Sequence, residues 1–217
     1  MSGDGGYEIL SIDDLDRYTT LQGSQVLRPL RRRLGFRPFG VNVWVGESAG
    51  DHVVEPHREP EGTEELYVVV RGNARFTVVE ETFDAPVGTL VHVPPATFRE
   101  ATAQEPGTTV LAMGATEGKA FTPGGWEDFF VAYAELRDGN AERGRAAMQQ
   151  ALEREPDAWQ GAYNAACFEA LAGETDAALE HLQRALELDR REVRRYAPED
   201  ADLDSIRDDP RYAELLA

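Results

Sequence analysis

The chain changes its pattern of residues once, near residues 121–125, and that single change limits the fold more than any other feature. Before it, the apolar residues come in short runs, "YEILSI", "GVNVWVG", "DHVVEPH", "ELYVVV", "ARFTVVE", "TLVHVP" and "TTVLAMG", parted by turn-rich pieces such as "GESAGD", "RGN" and "DAPVG". Runs of β-branched residues at that spacing predict short strands, and many short strands in succession predict an antiparallel sandwich or barrel, here over residues 1–120. After it, Ala, Leu, Glu, Arg and Gln dominate and apolar residues recur at intervals of three and four, which predicts an all-helical domain over residues 125–217.

Charge narrows the partners. Forty acidic side chains against 22 basic ones give a formal charge of −18 over 217 residues, which repels phosphate backbones and anionic lipid instead of recruiting them. Nucleic acid and membrane surfaces are therefore excluded as expected partners. A single cysteine, Cys167, permits no internal disulfide, and neither a basic, apolar leader nor a spanning apolar run is present, so a cytoplasmic protein is expected.

The helical part repeats itself. A shift of 34 residues lays Gly139 on Gly173, Gly144 on Ala178, Met148 on Leu182, Ala151 on Ala185 and Leu152 on Leu186. A helix-turn-helix period of this length, with small residues where helices cross and Pro156 after the second helix, resembles the tetratricopeptide repeat. Arg190 stands where the second copy would carry its proline, and "EDADLDSIRDDPRYAELL" reads as a closing helix. Two copies are too few for a free-standing superhelix. The helices are therefore expected to dock on the barrel or on a second subunit, ahead of the alternative of a groove for a peptide or protein partner, and a homodimer is expected.

A second resemblance lies in the strand half. Glu65 is followed after "LYVVVR" by Gly72 and preceded by His57 in an extended segment; later, "GTLVHVPPATFREA" runs from Gly88 through a strand to Pro94 and Pro95, with Ala96 after them. These two stretches resemble the first and second motifs of the cupins, over about 70 residues from Gly50 to Gly118. The resemblance implies a jelly-roll β-barrel, giving a two-domain chain: an all-β cupin-like barrel followed by an all-α, tetratricopeptide-like helical hairpin domain.

Period-two alternation gives the barrel its interior without help from the family. It places Glu65, Tyr67 and Val69 on one face, Ala74, Phe76 and Val78 on another, and Glu55, His57 and Glu59 together on a third. Metal-binding cupins use two histidines and a glutamate from the first motif and a histidine from the second. Here the resemblance implies His57 and Glu65 as ligands, with Glu55 or Glu59 in place of the companion histidine and Arg99 where the last histidine belongs. A guanidinium has no lone pair to donate and repels a divalent ion. It can instead neutralise buried carboxylates. The favoured reading is that Arg99 replaces the metal, no cofactor is held, and His57, Glu65, Arg99, Glu55 and Tyr67 line a barrel cavity that binds a small ligand. The chain is then a non-enzymatic binding or protein-interaction module.

The alternative is a metal-dependent cupin enzyme, a dioxygenase or isomerase acting on a small polar or anionic substrate. It would hold Zn, Mn, Fe or Ni on His57, Glu65 and Glu55 or Glu59, with Arg99 gripping a carboxylate. His92 is expected to be an outward or core histidine and not a ligand, with the side it faces left open, Arg31, Arg32 and Arg33 to form a solvated strand or turn, Trp44 to be core, and Cys167 to be buried and inert.

Overall fold

The computed structural model describes residues 8–19 and 25–217. The chain divides into two compact units at Pro123/Gly124. The first is built of strands β1 (Tyr18–Thr19), β2 (Val26–Arg28), β3 (Gly40–Gly46), β4 (His52–His57), β5 (Thr63–Arg71), β6 (Asn73–Val78), β7 (Glu81–Pro86), β8 (Leu90–Val93), β9 (Arg99–Ala103) and β10 (Thr108–Thr116). They form two antiparallel sheets, β1-β2-β3-β10-β5-β8 and β4-β9-β6-β7.

Both sheets feed one core. Tyr67 and Val69 of β5, Val91 and Val93 of β8 and Val110 of β10 meet Val53 and Val54 of β4, Ala74 and Phe76 of β6 and Ala101 and Ala103 of β9. The alternation expected in β5 and β6 holds, with Tyr67, Val69, Ala74 and Phe76 at most 2% exposed. Two facing antiparallel sheets closed on one core are the arrangement of a jelly-roll barrel. Gly72, between β5 and β6, has φ +69°, and a Cβ there would stand 2.7 Å from the Thr108 hydroxyl oxygen and 3.0 Å from its Cα. Both the backbone region and the space call for glycine.

Alternation fails in β4. Val53 and Val54 are consecutive and both buried, because the pairing with β9 shifts register between His52 and Val54 and again between Val54 and His57. Irregularities of this kind re-aim the residues that follow, so the common face expected for Glu55, His57 and Glu59 is lost. Two other expectations are corrected. The stretch "YEILSI" is no strand over its described part: Ile12–Asp14 is a 3₁₀ turn closed by a Ser11–Asp14 capping box, while Tyr7 lies outside the described residues. The arginine run sits in a short helix, α1 (Leu30–Leu34), in which Arg31 is only 5% exposed instead of solvated.

The second unit comprises α2 (Trp126–Arg137), α3 (Ala141–Arg154), α4 (Trp159–Leu171), α5 (Thr175–Tyr196), two 3₁₀ segments, and α6 (Pro210–Leu216). The 34-residue offset is carried by the backbone. Gly139 and Gly173 turn with φ +81° and +83°, and the amide behind each, Asn140 and Glu174, donates to the carbonyls of Glu135 and Glu169 at 2.8 and 2.9 Å. Gly144 lets α3 close on α4, since a Cβ there would lie 2.8 Å from the Phe168 ring. The same offset leads from Glu155, where α3 ends with φ −132° and ψ 63°, to Asp189, where α5 breaks with φ −151° and ψ 89°. Asp189 then accepts the Glu192 amide at 3.1 Å, as an N-cap would. The sequence, with Arg190 in place of proline, gives no sign of this break. No described helix is long and apolar enough to cross a membrane.

Candidate functional site

Charge gathers where the two sheets approach each other. On the four-stranded sheet, His57 closes β4 and Arg99 opens β9, and the two are register partners. On the opposite sheet β5 carries Glu65 and, two residues on, Tyr67 on the same inner face. The pair between Arg99 Nη2 and Glu65 Oε2, 2.9 Å apart, therefore runs from sheet to sheet.

Arg99 is wholly buried and is the largest fully buried side chain among the described residues. Its Nη1 donates to the Thr97 carbonyl at 2.7 Å, whereas Nε and Nη2 make no aligned hydrogen bond. The Nη2 contact to Glu65 is thus a charge contact at short range and not a well-directed bond. Glu65 Oε2 also accepts the Tyr67 hydroxyl proton. Burial pushes the Glu65 carboxyl up, but His57, Tyr67 and Arg99 together outweigh it and hold the group below the ordinary carboxylate value. Burial, with Glu65 beside it, drives the Tyr67 phenol upward, so this hydroxyl stays protonated and donates.

Both ring nitrogens of His57 face oxygen acceptors. Nδ1 lies 2.6 Å from the Glu55 carbonyl oxygen, which can only accept. Nε2 faces Glu59 Oε1 at 3.5 Å and Glu65 Oε2 at 3.6 Å. Glu59 first and Glu65 second raise its pKa to about 10, against the opposing effect of burial. The imidazole is an imidazolium at neutral pH.

Of the residues that the sequence singles out, four come together: His57, Glu65, Arg99 and Tyr67. The open choice between Glu55 and Glu59 goes to Glu59, whose carboxylate joins the cluster from the loop after β4, while Glu55 contributes its backbone carbonyl and leaves its side chain exposed. His92 faces outward: its side chain is 58% exposed and it pairs with Glu64 at 2.8 Å across β8 and β5. Glu64 and Leu66 alternate with Glu65 and Tyr67, and with Phe39, His92 and Met113 they line a groove of about 380 Å³.

The ligand atoms of His57, Glu59 and Glu65 lie within 4.8 Å of one another, a separation that would admit a metal ion. The chemistry of the set does not fit one. A metal would need the Glu65 oxygen already shared by the Arg99 cation and the Tyr67 proton, and would meet a fixed guanidinium beside its ligand. A second grouping, Cys167 with Asp200 and Asp202, lies in the helical unit and escapes sequence reading because Asp200 and Asp202 belong to the closing segment. Asp200 there caps a 3₁₀ segment, accepting the Asp202 amide at 3.0 Å and the Tyr163 hydroxyl at 2.7 Å. Burial and the nearby Asp200 push the Cys167 thiol upward, so it stays protonated.

No protein-family model matches the chain, and no curated protein matches its sequence. Among solved structures, KdgF from Halomonas sp. is 16% identical, spans 46% of this chain and 86% of its own, and superposes with a TM-score of 0.38. A sugar phosphate isomerase of the cupin superfamily from Silicibacter pomeroyi is 16% identical over 50% of this chain and 75% of its own, with a TM-score of 0.44. A predicted oxalate decarboxylase from Thermotoga maritima is 13% identical over 50% of this chain and 99% of its own, with a TM-score of 0.41. Likeness at this level assigns no function, and the barrel described above rests on its own strand order and core.

Proposed function

We propose that the first unit is a cupin-like barrel in which Arg99 stands in the place of a metal, and that the chain is a non-enzymatic module: a small-ligand-binding barrel joined to a tetratricopeptide-like pair of helical hairpins that docks a protein partner. The observation that carries the reading is the wholly buried guanidinium 2.9 Å from Glu65. A buried carboxylate needs a counter-charge, and a permanent internal cation supplies one without metal. The recurrence of turn, amide bond and helix break at one offset supports the repeat, and repeats of this kind present a surface to partners. The module is cytoplasmic and dimeric in this reading, which sedimentation of the purified chain would test.

A metal-dependent cupin enzyme is the second reading, favoured by the proximity of His57, Glu59 and Glu65. Elemental analysis of the protein as purified separates the two. The first reading expects no stoichiometric Zn, Mn, Fe or Ni, and expects Arg99→His to create a Zn²⁺ affinity that the natural protein lacks. Stoichiometric metal in the natural protein, lost on His57→Ala, would overturn it.

A further inference from the structure

The charges of the cluster divide by what carries them. His57, Glu65 and Arg99 sit on strands β4, β5 and β9, whereas Glu59 sits on the loop of residues 58–62, between β4 and β5. His57 Nδ1 meets the Glu55 carbonyl oxygen and Nε2 faces two carboxylates, Glu59 and Glu65, so the imidazole and the Arg99 guanidinium share one strand-borne carboxylate, Glu65, and Glu59 is the one that the loop adds. Nearby charges do not alter this arrangement: Glu55 turns its carboxylate to solvent, and Arg58 turns away, donating to the Ala96 carbonyl at 2.9 Å with its guanidinium 5.6 Å from the centre of the Phe98 ring.

That arginine latch holds the loop so that Glu59 lies over the cluster, but the carboxylate is not closely bonded. At 3.5 Å from His57 Nε2 it lies beyond the 2.7–2.9 Å of a charge-assisted hydrogen bond. The cluster is open on this side. Side-chain exposure falls from 34% at His57 and 31% at Glu59 to 14% at Glu65 and zero at Arg99. A free carboxylate arriving at the mouth can approach the imidazolium more closely than the tethered one does, and behind it the buried guanidinium still has Nε and Nη2 without aligned acceptors.

We infer that Glu59 is a resident carboxylate occupying a site for small monocarboxylates, held over His57 until the carboxylate of a ligand displaces it. The inference rests on the metal-free reading of the cluster and adds to it the class of ligand and the contact that regulates entry. Displacement breaks no covalent bond: one carboxylate leaves the imidazolium for solvent as another replaces it.

Acetate and its uncharged counterpart acetamide test this, titrated into the full-length protein while the His57 ring signals are followed by NMR. Glu59→Gln keeps the loop and removes the competing charge, and is expected to bind acetate up to about fivefold more tightly than the natural protein, the range set by removing one partly exposed ion pair. Glu61→Gln, an exposed neighbour in the same loop, lowers the net negative charge equally and is expected to leave acetate binding unchanged. Acetamide should bind neither variant. Equal acetate affinity for Glu59→Gln and the natural protein, a matching gain in Glu61→Gln, or acetamide binding as well as acetate would overturn the inference. Metal analysis of the same samples keeps the two levels apart: metal-free protein with no gain in Glu59→Gln refutes the inference alone, whereas stoichiometric metal held through His57 refutes the reading beneath it.

Discussion

Removing the two ends of the Arg99–Glu65 pair should have unequal consequences. Breaking a buried ion pair by deleting one partner costs about 3–5 kcal/mol, mostly because the other charge is left buried and alone. Arg99→Met loses the 2.9 Å contact and the bond to Thr97, but Glu65 keeps His57 and the Tyr67 hydroxyl. It also removes two buried donors without aligned acceptors, whose desolvation costs about 1–3 kcal/mol each. The net loss expected is therefore at most about 3 kcal/mol, the cost of the broken pair less at least about 2 kcal/mol returned by the two donors. Glu65→Gln keeps those donors, leaves Arg99 wholly buried without a counter-charge, and sets the guanidinium and the imidazolium against Glu59 alone, so the full 3–5 kcal/mol is expected. The double variant should lie near Arg99→Met. Urea unfolding followed by Trp44 fluorescence reads the barrel alone once the other two of the three tryptophans, Trp126 and Trp159, are replaced by phenylalanine. A larger loss for Arg99→Met than for Glu65→Gln, or a double variant whose loss is the sum of the two, would refute the reasoning.

The two units should respond to pH in opposite directions. The raised pKa of His57 means that the folded barrel holds a proton the unfolded chain releases above pH 6.5; its stabilisation is complete below 6.5 and lost as pH rises towards about 10, so the advantage of the natural protein over His57→Gln in urea should shrink across that window. Burial lowers the pKa of His181 on α5, so its neutral form is the folded one and its contribution is lost as pH falls below 6.5; a helical unfolding midpoint that does not fall with acidification, or falls equally in His181→Gln, refutes the assignment. Gly144→Ala should cost the helical unit about 1–3 kcal/mol in far-ultraviolet circular dichroism melts, since its Cβ would lie 2.8 Å from Phe168 and 2.9 Å from the Ala132 carbonyl. A change below about 0.5 kcal/mol would show that α3 and α4 can part without penalty.

What the sequence makes legible and what it hides follow one physical division. Local periodicity is written in every residue, so the strand faces of β5 and β6 and the turn glycines at Gly139 and Gly173 can be read directly. Departures from periodicity are set by tertiary contacts and leave little local trace. The register shifts in β4 are one such case, and they decide that Glu59 and not Glu55 reaches His57. The break at Asp189 is another: a helix-favouring run continues through it, and the structure interrupts that run where the preceding repeat ends at Glu155. Ala96 shows the reverse, a left-handed backbone conformation held without a glycine. Its φ of +56° is the conformation for which a glycine would be chosen, and the arginine latch from Arg58 to its carbonyl helps to hold it there.

Arg99 is legible for a different reason: the resemblance places it at the site, and its chemistry then admits few buried environments. A guanidinium cannot shed its charge when buried, so a single arginine at an inward position of a carboxylate-rich barrel must find an anion. The sequence offers Glu55, Glu59 and Glu65 for that role, and only the packing of β5 against β9 chooses Glu65. The choice leaves the imidazolium of His57 facing a carboxylate borne on a loop. In the proposed reading the deepest pair is fixed by two strands and the outermost carboxylate is borne on a loop, which puts specificity at the mouth. Substitutions at Glu59 should therefore change which anions bind, and substitutions at Arg99 or Glu65 should change whether the barrel holds together.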